Sequence, residues 1–562
     1  MPAPGATALV ALLLVSVGVT VSARLRARRT ALDYYLAGQR VGVVTNACAI
    51  CGDYLSAASF LGVAAAVYSS GLDGLWYAAG FAAGFVPVAL FTAAPLRRFG
   101  QHSLPDFLAN RFGSERVRAV AVVVVELVIL AYLVPQAVGS GLTWSLLVGH
   151  GVFGLSAYAT GVVVVSVTVA ALVVVGGMRG TTWNQALQFL LLLGTLTWLT
   201  VVVVGAGFSY SGAVGDLNDA PLTAPVVQDD GSERLAPVSH QLDRGEPARF
   251  GEAGARYGPL GQFSLVLALV LGTAGLPHVV NRFFTSPSGR AARRTTVWVV
   301  GLAGAFYALA VLLGTAARAL IPGAVADHDW LAPLTVDGVL RVPEHAMLAL
   351  GRIYGGTGGL AIVATGALIA ILSTIGGLLL AAASSWGQDV YVRHLNPGAS
   401  EQQALRAGRV AVVVATCAAA VAALMLRPDD LADTVIAPSL VATMVTWAFC
   451  LAGSSLTPVL VLAIWWRGAT ARGAVAGMAI GAFTSVAMIG LGLVQAAGIN
   501  PRASLLLTPT LVAAPLAGLV MVVVSRRGTP PTDVDRVWRR MHGTAADRQA
   551  ERLAELTLEH AR

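Results

Sequence analysis

Apolar runs of about twenty residues recur from one end of this 562-residue sequence to the other. A run of that length crosses a bilayer as helix, and in lipid each backbone polar group needs an internal partner. A chain built from such runs is confined to a bundle of transmembrane helices. Composition agrees: 56% of residues are hydrophobic, only 12% are charged and mean hydropathy is +0.73, whereas soluble domains carry about a quarter charged residues. The sequence therefore predicts an all-α polytopic membrane protein. Spans are expected at about 5–23, 45–69, 75–96, 119–147, 155–176, 182–208, 262–281, 296–321, 360–386, 409–426, 431–466, 473–495 and 504–525. That makes thirteen, or fourteen if 431–466 divides at Pro438, Gly453 or Pro458.

The net charge is +8, and every basic residue is arginine. The arginines are scattered among connections, which suits membrane orientation and not nucleic-acid binding. With the N-terminus outside, the inner segments are 24–44, 97–118, 177–181, 282–295, 387–408, 467–472 and the tail from 526. Together with Arg409 at the head of the tenth span, they hold 28 of the 37 arginines. The outer segment 209–261 has eight acids against four arginines. The positive-inside rule thus predicts N-terminus out, C-terminus in. Charges follow the first apolar run, which fits a retained span better than a cleaved signal. Residues 209–261 read as an irregular loop and 533–562 as a short, charged, solvated helix. The cysteines, Cys48, Cys51, Cys417 and Cys450, lie in apolar runs, where small helix residues are the simplest reading. No nucleotide loop, metal cluster or catalytic triad is present, so an enzyme is not indicated.

Polar clusters inside spans mark pathways, because a charge at the bilayer centre costs about 2.5–3.5 kcal/mol on insertion scales. The second span carries Gly52, Asp53, Ser56, Ser59 and Gly62. The ninth carries Ser373 and Thr374 at similar depth. For this pair, bonding back to carbonyls one turn earlier is the competing explanation. The seventh span contains Gly272-Thr-Ala-Gly-Leu-Pro-His278, and Pro277 opens its hydrogen-bond ladder. Breaks at corresponding positions of two halves point to a midplane site. In the fourth span, Gln136 faces either the pathway or a neighbouring helix. Glu126 is expected to pair with an arginine at the inner rim. His278 is expected to cap carbonyls freed by the proline. Asp53 is open between cation attraction, proton coupling or gating, and pairing with a backbone N–H.

These stretches resemble the sodium:solute symporter family, and within it the cation/acetate (monocarboxylate) symporter branch. The resemblance rests on Asp33-Tyr-Tyr-Leu-Ala-Gly38, Gly52-Asp-Tyr-Leu-Ser-Ala-Ala-Ser-Phe-Leu-Gly62, Tyr132-Leu-Val-Pro-Gln136 and Gly176-Gly-Met-Arg-Gly-Thr-Thr-Trp183. It extends to Gly272–His278 with Arg282-Phe-Phe, and to Ser373-Thr374 through Gln388-Asp389-Val-Tyr391. It implies a five-plus-five inverted-repeat, leucine-transporter-like core. The division is 1–44 for an extra helix and cytoplasmic loop, 45–208 for the first repeat, 209–261 for the extracytoplasmic loop, 262–467 for the second repeat, 468–525 for two further helices, and 526–562 for a cytoplasmic tail. It also implies a bacterial-type inner (cell) membrane location. A transported sodium is then expected at the carbonyls of Gly52, Leu55 and Ala370 and the hydroxyls of Ser373 and Thr374. No other cofactor is implied. Relatives with a second sodium site have an acid where this chain has Gln185, so one cation per cycle is expected.

The resemblance implies a substrate beside the ion, with Tyr54, Ser56, Ser59, Phe60, Gln136, Leu269, Thr273 and Leu276 as candidate contacts. Arg179 and Arg282 lie at inner ends, leaving no mid-membrane arginine as a clamp. Hydroxyls, freed N–H groups at a half-helix N-terminus and the cation would hold a small carboxylate instead. Few large aromatic residues lie around Thr273 in sequence, which speaks against a sugar platform. The expected activity is symport of a short monocarboxylate such as acetate, propionate or pyruvate with sodium or a proton. The alternatives are another small solute such as proline, or a sensor acting through a separate partner.

Overall fold

The computed structural model describes residues 4–26, 30–100, 102–228, 232–239, 245–426, 439–496, 503–544 and 547. Among them, nine helical stretches are long and apolar enough to cross a membrane, and Leu14–Leu25 and Thr510–Arg526 are shorter apolar helices. Three of the nine are too long for one crossing: Pro343–Leu395, of 53 residues, is kinked at Gly356 and crosses with its longer limb alone, and the other two each divide into two crossings. Ala157–Gly205 has 49 residues, about 74 Å of helix against a hydrocarbon core of about 30 Å. It turns at Gly177, where φ is 56° and ψ −162°, a conformation that side chains resist. Ala58–Phe99 divides at a 3₁₀ turn over Gly71–Gly74. The crossings then number thirteen, as expected.

The interior is largely apolar, but apolar residues also cover the outer surface and several polar ones are enclosed. Exposed Val123, Val167, Phe263, Val410 and Phe483 face outward, while Asp53, Gln136, Gln185, Arg282 and Thr374 are buried. Large hydrophobic residues here meet lipid, so the polar residues identify the helix faces that meet each other.

The broken helices appear where sequence placed them. The second span runs as helix over Val43–Tyr54, leaves helical geometry at Leu55 (ψ 80°), and resumes through a π-turn at Ala58–Gly62. The seventh runs over Gly258–Gly275, is extended at Leu276, and resumes as Pro277–Phe284. The ninth belongs to a helix over Ala346–Ser384, kinked at Gly356 and continued to Leu395. The eleventh is Leu440–Trp465, with Pro458 inside; Pro438 lies outside the described residues.

Two connections are more ordered than expected. The loop after the sixth span holds a helix, Tyr210–Leu217, and a hairpin pairing Thr223–Val227 with Glu233–Pro237. The tail is not a solvated helix: Val534–His542 is docked, with Val537 and Met541 buried. Arg98 donates to the Met541 carbonyl at 3.0 Å, and His542 Nε2 lies 2.8 Å from the Ile464 carbonyl. Residues 545–546 and 548–562 of the tail expectation lie outside the described residues.

Candidate cation and substrate site

A serine or threonine in a helix ordinarily bonds back one turn. Thr181, Thr182, Thr195 and Thr446 do so here. Ser373 and Thr374 do not. Ser373 Oγ donates to the Gly52 carbonyl, and Thr374 Oγ1 donates to the Asp53 carbonyl at 2.8 Å. The ninth span is therefore joined to the last turn of the second span's first half. Leu55 sits at the break, with its N–H on the Cys51 carbonyl at 2.8 Å, and is fully buried. Ala370 lies one turn before Thr374, also fully buried. The contacts thus unite Gly52, Ser373 and Thr374, with Leu55 at the break and Ala370 in the adjoining turn. Gly52 has a steric reason as well: a Cβ there would overlap the Gln185 carbonyl.

Asp53 does not pair with a backbone N–H. Its Oδ2 accepts from Arg282 Nε at 3.1 Å, with both side chains about 1% exposed. Arg282 therefore does not sit at an aqueous inner end, contrary to expectation. The same guanidinium donates to Thr182 Oγ1 at 2.7 Å, to Met178 Sδ at 3.1 Å and to Gln185 Oε1. Gln185 Nε2 in turn donates to the Ser373 carbonyl at 2.8 Å. The position where an acid was sought is thus a neutral amide bridging the arginine and the ninth span. Gly377 leaves room for the Asp53 carboxylate, since a Cβ there would overlap it.

The substrate candidates fall into two groups. Tyr54, Thr273 and Ser59 have protein partners. Tyr54 and Thr273 hydroxyls lie 2.8 Å apart, Tyr54 also donates to the Phe81 carbonyl at 3.1 Å, and Thr273 donates to the Leu269 carbonyl at 2.7 Å. Ser59 pairs with the Tyr307 hydroxyl at 2.8 Å. The other group is unsatisfied. Gln136 Oε1 accepts from the Ala57 N–H at 3.1 Å, but its Nε2 has no partner, and neither has Ser56 Oγ. Both ring nitrogens of His278 are also without a partner, so this histidine does not cap carbonyls. It meets the Tyr132 ring edge-on at 5.4 Å, one turn before Gln136 on the same helix. Ser56 lies beside the Tyr132 hydroxyl. Leu276, with its N–H on the Gly272 carbonyl at 3.0 Å, sets the seventh-span break.

Two further expectations fail. Glu126 meets no arginine among the described residues; Ser385 and Trp386 are beside it, and its Oε1 is unpartnered. The site is not poor in aromatics. Tyr54, Phe81, Phe85, Tyr132, Tyr307 and Phe449 interlock, with Tyr54–Phe85 centroids at 4.6 Å and Phe81 stacked on Tyr307 at 5.7 Å. Phe60 meets Phe306 at 6.4 Å. These rings come from different spans, so no local stretch displays the cluster. Tyr307 and the Arg282–Gln185 link are what sequence reasoning missed, whereas Tyr132 already stood in the fourth-span motif. The one available signal was Arg282 itself, a charge five residues beyond a helix-breaking proline.

The sequence model of the sodium:solute symporter family matches residues 34–481. A Na⁺-coupled sialic acid symporter, solved substrate-bound and outward-open, is similar at 18% identity and TM-score 0.67, covering 94% of this chain and 98% of that one. A nucleobase-cation-symport-1 family transporter, closed with bromovinylhydantoin bound, matches at 14% identity and TM-score 0.52, covering 90% and 98%. A manganese transporter from Eremococcus coleocola matches at 14% identity and TM-score 0.51, covering 86% and 95%. These likenesses show the fold: a five-plus-five inverted-repeat helical core.

Proposed function

We propose, from the premise that this chain belongs to the sodium:solute symporter family and so moves a solute together with sodium across a membrane, that its solute is a short monocarboxylate of the acetate, propionate or pyruvate type. The observation carrying this reading is the unpartnered Gln136 Nε2 and His278 ring beside the two breaks, with the Ser56 hydroxyl next to the Tyr132 hydroxyl. Buried polar groups without partners cost about 1–3 kcal/mol each. Atoms left so at a helix break are atoms a ligand completes. A hydroxyl, an amide N–H and an imidazole N–H are donors suited to a carboxylate. The half-helix Pro277–Phe284 adds the positive end of its dipole beside them.

In this reading, sodium binds to the carbonyls of Gly52, Leu55 and Ala370 and the hydroxyls of Ser373 and Thr374. Neutral oxygens replace its water while still letting it leave. The Ser373 and Thr374 hydroxyls, which now donate to carbonyls of the second span, present lone pairs to the ion when it enters. Ion binding then fixes the break at Leu55, which positions Ser56 and the Ala57–Gln136 contact for the substrate. Coupling is this shared element: one unwound turn serves both ligands. Asp53 serves in this scheme as the partner of Arg282, holding the two broken helices together.

The assigned orientation is N-terminus outside and C-terminus in the cytoplasm of a bacterial-type inner membrane, with repeats over 45–208 and 262–467, the extracytoplasmic loop at 209–261, two further helices over 468–525 and the tail from 526. The test is uptake by reconstituted vesicles. Labelled acetate should accumulate against its gradient under an inward sodium gradient, and Ser373→Ala or Thr374→Ala should raise the sodium concentration for half-maximal uptake at least tenfold. Accumulation of proline but not acetate would replace the substrate. Binding without accumulation would make the protein a sensor, and uptake driven by protons alone would replace the ion.

A further inference from the structure

The eighth span, Gly289–Ala324, begins with an unusual charge arrangement. Arg290, Arg293 and Arg294 fall in its first two turns, and the first turn holds no acid. Positive charges there oppose the positive end of the helix dipole. No acid occurs anywhere from 253 to 326, and among the described residues the three arginines have no ion-pair or hydrogen-bond partner. The opposite face is anchored: Gly289, Ala292, Thr295 and Thr296 are buried, and Thr295 reaches the Val43 carbonyl at 3.4 Å. Spacings of three, four, seven and eight put Arg290, Arg293, Arg294, Val297 and Trp298 on one outward face. These five residues line a groove of about 470 Å³.

Depth identifies what fills it. The helix has 36 residues, about 54 Å against a hydrocarbon core of about 30 Å, so its first turns project past the core. Val297 is 61% exposed and Trp298 53%, and Trp belongs at the membrane interface. The arginines therefore stand at headgroup level, with an apolar stripe leading from them into the lipid.

We propose that this groove binds the headgroup of an anionic phospholipid, with the phosphate among Arg290, Arg293 and Arg294 at the helix N-terminus and an acyl chain along Val297 and Trp298. A soluble anion would use the arginines but not the stripe. A protein partner would have to displace lipid from it. The bound phosphate supplies the negative charge that the first turn lacks, and so stabilises the start of the eighth span.

The experiment reads bound lipid on the full chain in detergent, by native mass spectrometry, and does not depend on transport. Phosphatidylglycerol should be retained and phosphatidylcholine lost. Each of Arg290→Gln, Arg293→Gln and Arg294→Gln should weaken phosphatidylglycerol binding about fivefold, and the triple glutamine variant should abolish it. The triple lysine variant should retain most of it. Equal retention of the two lipids overturns the proposal, as do single and triple glutamine variants that bind like the wild type. Displacement of phosphatidylglycerol by millimolar inorganic phosphate would also overturn it, making this a site for free anions. If the triple variant fails to fold, the three single variants decide.

Discussion

Arg282 binds five things together: the Asp53 carboxylate, Thr182, Met178, Gln185 and, through Gln185, the backbone of Ser373. A buried ion pair is weak evidence for stability, but removing one partner leaves a charge with no water. Arg282→Gln should therefore lower the stability of the detergent-solubilised protein by about 3–5 kcal/mol, read as a fall in Tm. Adding Asp53→Asn should restore much of it, because the stranded charge goes too. If the double variant is as unstable as the two losses summed, the residues are not coupled. Sequence displayed the hydroxyls and glycines of the proposed cation site and not this pair, for a physical reason. Hydroxyls and glycines inside an apolar run are locally conspicuous because lipid penalises them. The Asp53–Arg282 partnership spans 229 positions and exists through the packing register of two helices. His278 was read as a cap because freed carbonyls lay nearby in sequence, whereas its ring faces Tyr132 on another span.

Elements were more legible than contacts because lipid length and backbone chemistry act locally. Hydropathy placed the crossings, Pro277 placed the seventh-span break, and the expected inner segment 177–181 begins at Gly177, where the chain turns. The loop after the sixth span was less legible. Its strands are five residues each and include Pro225 and Pro237, so local propensity favoured an irregular chain. What orders its far end is an acid from elsewhere. Asp73, in the turn after the second span, is buried and accepts from the Gly254 N–H at 2.7 Å, the Arg256 N–H at 2.8 Å and Gln262 Nε2. Asp73→Ala removes the carboxylate that accepts all three hydrogen bonds and leaves buried donors, at about 1–3 kcal/mol each. Limited proteolysis should then cut within 245–258 at least tenfold faster than in the wild type, with the helical content by circular dichroism unchanged. Cutting at the wild-type rate would mean the hairpin alone orders the loop.

At the scale of the whole molecule, one side of the bundle is held by a polar network. Arg118, at the start of the fourth span, donates to Asp389 at 2.7 Å, to Asp106 at 3.1 Å and to Glu115 at 2.9 Å, and Ser103 donates to Asp389 at 2.6 Å. Arg118 and Asp389 are 2% and 1% exposed. Asp389 lies on the continuation of the helix that bears Ser373 and Thr374, so the network and the proposed cation ligands share one helix. If this network is a gate, its contacts part in one state of the transport cycle and re-form in another. Arg118→Gln would then remove them from the state that contains them, shifting the balance between the two states by about 3 kcal/mol, or roughly a hundredfold. Native Cys51, fully buried beside Gly52, can report this once Cys48, Cys417 and Cys450 are serine. A small thiol reagent should label Cys51 many times faster in Arg118→Gln, and Asp389→Asn should act in the same direction without adding to it. Sodium should slow labelling in the wild type by fixing the helix that carries both sites. Equal labelling rates in wild type and Arg118→Gln would mean that the network is a fixed strut and that access is gated elsewhere.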